Sequence, residues 1–156
     1  MPSADRVLLR MTILGPPVPK ARARITYRTK LGAYRGHTPE KTRTAMDEVA
    51  WAAKGAGAEV FEGPVRLLVE AAMPIPKSWS KKKHHLAVIG LILPTSKPDG
   101  KNILALVEDA LNGIVWRDDS QVIKGTWEKV YSDYPRTGVT VWALELEGGG
   151  EQCLSP

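Results

Sequence analysis

The chain has 156 residues, 43% of them apolar and 25% charged, which bounds it to one ordinary globular domain with room for a core. Its formal charge of +5 fits a polyanionic partner such as nucleic acid without selecting one, and its single cysteine, Cys153, excludes an internal disulfide and a cysteine-built zinc site. Asp5 and Arg6 interrupt the start before any secretory-type apolar run, and the longest such run, LAVIGLIL, is far short of the ~20 residues of a membrane helix, so a cytoplasmic protein with no membrane partner is expected.

In chain order, VLLRMTIL at 7–14 is an apolar strand, ended by GPPVP because proline removes donors and fixes φ. Residues 20–39 are polar and basic, a loop or irregular hairpin. The stretch TPEKTRTAMDEVAWAAKGAG is a helix with Thr38 as N-cap and Pro39 at the first helical position. VRLLVEAAM at 65–73 is a strand, followed by a turn and a short helix capped by Ser78 or Ser80. Residues 99–113 form another helix. QVIKGTWEKVYS (121–132) and TGVTVWALELE (137–147) alternate like two strands of an antiparallel pair. The order predicts an α/β (α+β) fold, a mixed sheet with helices packed against it. It forms one domain over 1–147, with a disordered tail at 148–156.

The stretch KPDGKNILALVEDALNGIVWRDDSQV, 97–122, carries the candidate chemistry. Ile103, Leu106, Val107, Ala110 and Leu111 share one helical face, Asp99 falls at the N-cap and Gly113 at the stop. From Asp99 to Asn112 the helix covers ~20 Å. Six extended residues from Asn112 to Asp118 cover a similar distance. If the chain turns at Asn112–Gly113 and runs straight back, Asp118 and Asp119 arrive beside Asp99. Equally, Asp99 is only a cap and Asp-Asp before Ser only a turn. Glu108 reads as a solvated face residue and Asp109 as a helix-flank or structural polar residue. A converged cluster would suit Mg²⁺, which takes carboxylate and phosphate oxygens and activates water for attack on a phosphodiester.

Residues 20–35 hold Lys20, Arg22, Arg24, Arg28, Lys30 and Arg35 with no acid among them. Lys20, Arg22 and Arg24 alternate, so an extended chain points them the same way, toward DNA phosphate or simply into solvent. A second run, Lys77 and 81–83, lies near Trp79, and the tryptophans read as core or interface anchors.

Residues 97–122 resemble the signature of the RusA family of Holliday-junction resolvases. That signature pairs a Pro-Asp-x-Asp-Asn segment and an Asp-Ala-Leu helix with Asp-Asp-x-Gln-Val. GPPVPKAR, the Thr-Pro-Glu helix and PIPKSWSKKK extend the resemblance over roughly residues 10–145. It implies a small homodimeric endonuclease using Mg²⁺, with Mn²⁺ substituting. Such an enzyme binds four-way DNA junctions and cuts strands of like polarity symmetrically in recombination and repair. It maps catalytic and metal-binding carboxylates to Asp99 and Asp119, with Asp118 adjoining, and matches Asn102. The family's second aspartate is Lys101 here, and a family lysine is Ala105. Lys101 supplies a phosphate contact, beside Lys97, or leaves a junction-binding protein whose catalysis is impaired, or is an ordinary surface residue in a branch that never needed the second aspartate.

Overall fold

The computed structural model describes residues 5–28 and 32–145; Lys30 and the expected tail at 148–156 lie outside the described residues. The elements are β1 (Arg6–Leu14), β2 (Arg24–Arg28), β3 (Ala33–His37), α1 (Glu40–Gly55), β4 (Val65–Pro74), α2 (Lys81–Val88), α3 (Gly100–Leu111), β5 (Val122–Ser132) and β6 (Arg136–Ala143). The main sheet has four strands in the order β1-β6-β4-β5, and β2 and β3 form a separate antiparallel hairpin. The sheet is mixed, with helices packed against it.

The last two long strands do not pair with each other. β4 lies between them, antiparallel to β6 and parallel to β5. Parallel neighbours cannot be joined by a tight turn and need a crossover, here built from α2 and α3. Alternation revealed both strands, but period-2 patterning carries no information about which strand is the neighbour.

Leu9, Met11, Val65, Leu67, Val69, Val139 and Val141 are buried in one cluster with Val49 and Ala53 of α1 and Ile103, Leu106, Val107 and Leu111 of α3. Strands β1, β4 and β6 each contribute alternate residues to this core, as a pleat requires. Two caps differ from expectation. Pro39, not Thr38, holds the cap position of α1, and it makes no side-chain cap bond. Asp99 holds the cap position of α3, but its carboxylate makes no capping hydrogen bond either. Ser80 caps α2 by accepting from the Lys83 amide at 3.3 Å.

Helix α3 lies directly on β5. A Cβ on Gly100 would sit 2.1 Å from Trp127, and one on Gly125 would sit 3.1 Å from a Glu108 carboxylate oxygen and 3.4 Å from Leu104. Contact at Gly100–Trp127 and at Leu104 and Glu108–Gly125 means the helix runs antiparallel to the strand. After α3, Gly113 (φ +79°) starts a tight turn in which its amide donates to the Trp116 carbonyl at 2.7 Å. Val115 and Trp116 are buried there.

Gly100→Ala should destabilise the protein. Alanine adds about 1 kcal/mol of helix propensity at most, whereas overpacking a tight contact costs ~1–3 kcal/mol. Urea unfolding should show a lower midpoint for Gly100→Ala, partly restored by Trp127→Ala in the same chain. An unchanged midpoint would contradict the close packing of α3 on β5.

Candidate functional site

The Pro-rich segment after β1 crosses the starts of two helices. The Lys20 amide donates to the Asn102 carbonyl on α3 at 2.8 Å. The Ala21 amide donates to Thr42 Oγ1 on α1 at 3.3 Å. Lys20 Nζ pairs with Asp109 at 2.5 Å. Proline suits such a strap because it needs few donors and resists bending. Of the two readings of Asp109, helix-flank or structural, the pair supports the structural one, and the partner comes from the N-terminal motif.

Strap and helix starts enclose a cleft of about 600 Å³ lined by Lys20, Arg22, Lys41, Lys97, Asp99 and Asn102. Lys129 Nζ donates to the Ser96 carbonyl at 2.7 Å and so ties the segment carrying Lys97 to β5. The cleft thus surrounds one carboxylate with several cations at the amide-rich end of α3, where an anion is favoured. Asp99 is exposed and makes no capping bond, so its carboxylate faces solvent rather than serving its own helix. Lys101 is exposed on the first turn of α3, two residues beyond Asp99. Lys41 was not legible as a site residue, because the docking of α1, not any motif, brings it here.

Asp118 and Asp119 lie elsewhere. The segment 112–116 is spent on the tight turn instead of running back along α3, so the strand that does run back is β5. The chain from Asp119 through the short 3₁₀ turn to Trp127 covers on the order of 20 Å, and it is Trp127, not the Asp pair, that meets Gly100. That register carries the chain from Trp127 back to Asp118 and Asp119 away from Gly100 along β5. Among the described residues, no group of three His, Cys, Asp or Glu could hold a metal ion.

Gln121 fixes the acidic turn. Its Oε1 accepts from the amides of Arg117 (2.8 Å) and Asp118 (3.2 Å). Its Nε2 donates to the carbonyls of Phe61 (2.8 Å) and Gly63 (3.0 Å). The glutamine of the motif therefore anchors the turn to the entry of β4. Ser120 Oγ donates to Asp118 at 2.7 Å, and this bond, followed by bonding from Asp119, holds the Asp118 carboxyl below its usual range. Glu108, expected in solvent, is instead half-buried against β5. Burial first, then the charges of Asp119 and Asp109, raise its carboxyl above the usual range, while Lys20 opposes them.

Of the remaining basic candidates, Arg24, Arg28 and Arg35 belong to the β2–β3 hairpin, with Arg24 opposite His37, Arg28 opposite Ala33 and Arg35 opposite Thr26.

The raised carboxyl of Glu108 has a pH consequence. A raised folded-state value means that the neutral form is favoured by folding. The associated stability is complete below the unfolded-state value and lost as pH rises through the folded-state value. Glu108→Gln should therefore raise the urea midpoint at about pH 8 and lose that advantage near about pH 4. A larger advantage in acid would contradict this.

The span from the strap through β6 is also what comparison with known proteins matches. A family model described as endodeoxyribonuclease RusA covers residues 15–142. A Bacillus subtilis (strain 168) protein, named uncharacterized protein YqaN, is 38% identical over 136 residues, which is 85% of this chain and 94% of that protein. The chain belongs to the RusA endodeoxyribonuclease family.

Proposed function

We propose that this protein is a divalent-metal-dependent endodeoxyribonuclease that resolves four-way DNA junctions by paired, symmetric cleavage in recombination and repair. Family membership supports the endonuclease activity and the branched substrate. The observation that carries the reading onto this chain is the basic cleft around the uncapped carboxylate of Asp99. Lys20, Arg22, Lys41 and Lys97 offer phosphate contacts that position a backbone without reading its sequence. Arg24, Arg28, Lys30 and Arg35 extend this contact set along the hairpin region of the sequence.

Among the described residues no group of three carboxylates is in place to hold an ion, so Asp99, Asp118 and Asp119 are not assigned one shared ion within a chain. Mg²⁺, or Mn²⁺ in its place, usually needs only one or two carboxylates with substrate phosphate oxygens and water, and Asp99 in its cleft fits that smaller donor set. Such an ion supplies polarisation of the phosphodiester and an activated water. The chain's own part is to hold the phosphate on the cleft cations, present Asp99 toward it and offset developing charge through Lys97 or Lys101. Asp119 is assigned to the catalytic set on the family resemblance. A two-fold homodimer supplies the paired cuts, pairing the cleft of one chain with that of its partner. The absence of a three-carboxylate group among the described residues and the presence of Lys101 favour a second reading, a junction-binding protein with impaired cleavage. A nicking assay on a synthetic four-way junction in Mg²⁺, Mn²⁺ or EDTA decides between them: metal-dependent paired nicks support the nuclease, and binding without nicks supports the alternative.

Asp99→Asn should abolish nicking while junction binding stays intact or tightens, because a carboxylate facing phosphate is removed. Asp119→Asn should do the same. Near-normal nicking by either variant removes that residue from the site.

Arg22→Ala combined with Lys41→Ala should weaken junction binding and flatten its salt dependence by about 0.9 in the log–log slope for each lost phosphate contact. An unchanged slope would return the cleft to solvent.

Lys101 gives opposite outcomes under its two roles. If it assists the phosphate, Lys101→Ala slows cleavage with little change in the Mg²⁺ concentration required, and this is the expected result. If it opposes the ion beside Asp99, Lys101→Asp cleaves faster and Lys101→Ala no slower than the parent.

A further inference from the structure

A second cavity, of about 500 Å³, opens where β4 and β5 end. Its walls are Pro74, Ile75, Pro76, Pro135 and the side of Trp79, and its polar lining includes Lys77, Lys81, His84 and Asp133. Trp79 is held in place from two directions. Lys83 Nζ lies 4.0 Å from its ring centroid. The Tyr131 ring meets it nearly edge-on, 5.2 Å between centroids at 70°. His84 Nε2 and Asp133 Oδ1 lie 2.6 Å apart, which fixes the carboxylate and leaves its other oxygen as an acceptor. The cavity neighbours the basic cleft. The Gly15 amide donates to the Pro135 carbonyl at 3.0 Å, and the strap that lines the cleft begins two residues later.

We propose that this cavity binds one unpaired nucleotide of the DNA, with the base against Trp79 and the prolines and its phosphate on Lys77 and Lys81. Three features carry this together. A rigid aromatic and proline lining gives a flat apolar surface, and aromatic side chains stack bases of any identity. Exposed lysines at the mouth match a phosphate and would not favour a neutral ligand. The Asp133 oxygen accepts from a base amino or imino group but repels a second anion, so the acidic end takes the base and the basic end the phosphate. The size is that of a small-molecule site. The inference deepens the branched-DNA reading and rests on it: continuous stacking is interrupted where strands exchange at a branch point, which lowers the cost of extruding a base there, and the adjoining cleft holds the backbone beside it. A proline-rich peptide would suit the apolar walls but not the lysines.

The test uses the full-length protein and a short oligothymidylate carrying one 5-iododeoxyuridine, irradiated and mapped by peptide mass spectrometry. The expected result is a cross-link at Trp79 that falls several-fold in Lys77→Ala/Lys81→Ala, whose substitutions are on exposed side chains. Cross-links confined to residues 17–22 and 97–102, no cross-link, or displacement of the signal by a proline-rich peptide but not by unlabelled oligothymidylate would each overturn the proposal. The probe is single-stranded, so the outcome is separable from nuclease activity. A cross-link at Trp79 without junction cutting keeps the pocket and removes the nuclease reading; junction cutting without that cross-link does the reverse.

Discussion

The contact of Gly100 with Trp127 organises the rest of the site. A helix start can lie flat on a strand only if no Cβ intervenes, and here a Cβ would come within 2.1 Å of the indole. That contact sets α3 antiparallel to β5. It places Asp99 at the edge where the strap and the segment of Lys97 also arrive, and it gives Trp127 rather than the Asp118–Asp119 turn as the neighbour of Gly100. The cleft and its charge follow from one close approach.

Much of the fold was legible in the residues themselves. The strands at 7–14 and 65–73 and the helix over 99–113 announced themselves by period and by their proline and glycine boundaries. What was not legible was three-dimensional choice. The pairing of β5 with β4 depends on a crossover that alternation does not encode. The expected return of Asp118 to Asp99 assumed that residues 113–117 would be extended. In the fold Val115 and Trp116 are buried in a tight turn, because burying the indole outweighs extension. The one available signal was the pair of glycines, Gly100 and Gly125, each at a point of close approach. The resemblance named Asp99 and Asp119 as functional, but a motif records residues and not the distance between them.

The cleft also recasts several side chains. Lys20 serves as both an ion-pair partner of Asp109 and a wall of the cleft, so the N-terminal motif has a structural role before any ligand arrives. Partly exposed pairs of this kind contribute little stability alone, and the two backbone bonds at Asn102 and Thr42 hold the strap more firmly. The glutamine of Asp-Asp-x-Gln anchors its turn through four hydrogen bonds. Asp118 is engaged by Ser120 and also by Asp119, so both carboxylates of the pair take part in holding the turn. The charge of Asp119 reaches Glu108, whereas the surroundings of Asp99 at the start of α3 are basic.

The central claim is that DNA meets this chain at the cleft around Asp99. Hydrogen–deuterium exchange of the protein with and without a synthetic four-way junction, in Mg²⁺, tests it directly. The account predicts that protection on binding concentrates in residues 17–22, 40–43 and 97–102. Protection confined to residues 117–124, with the cleft segments unchanged, would contradict it.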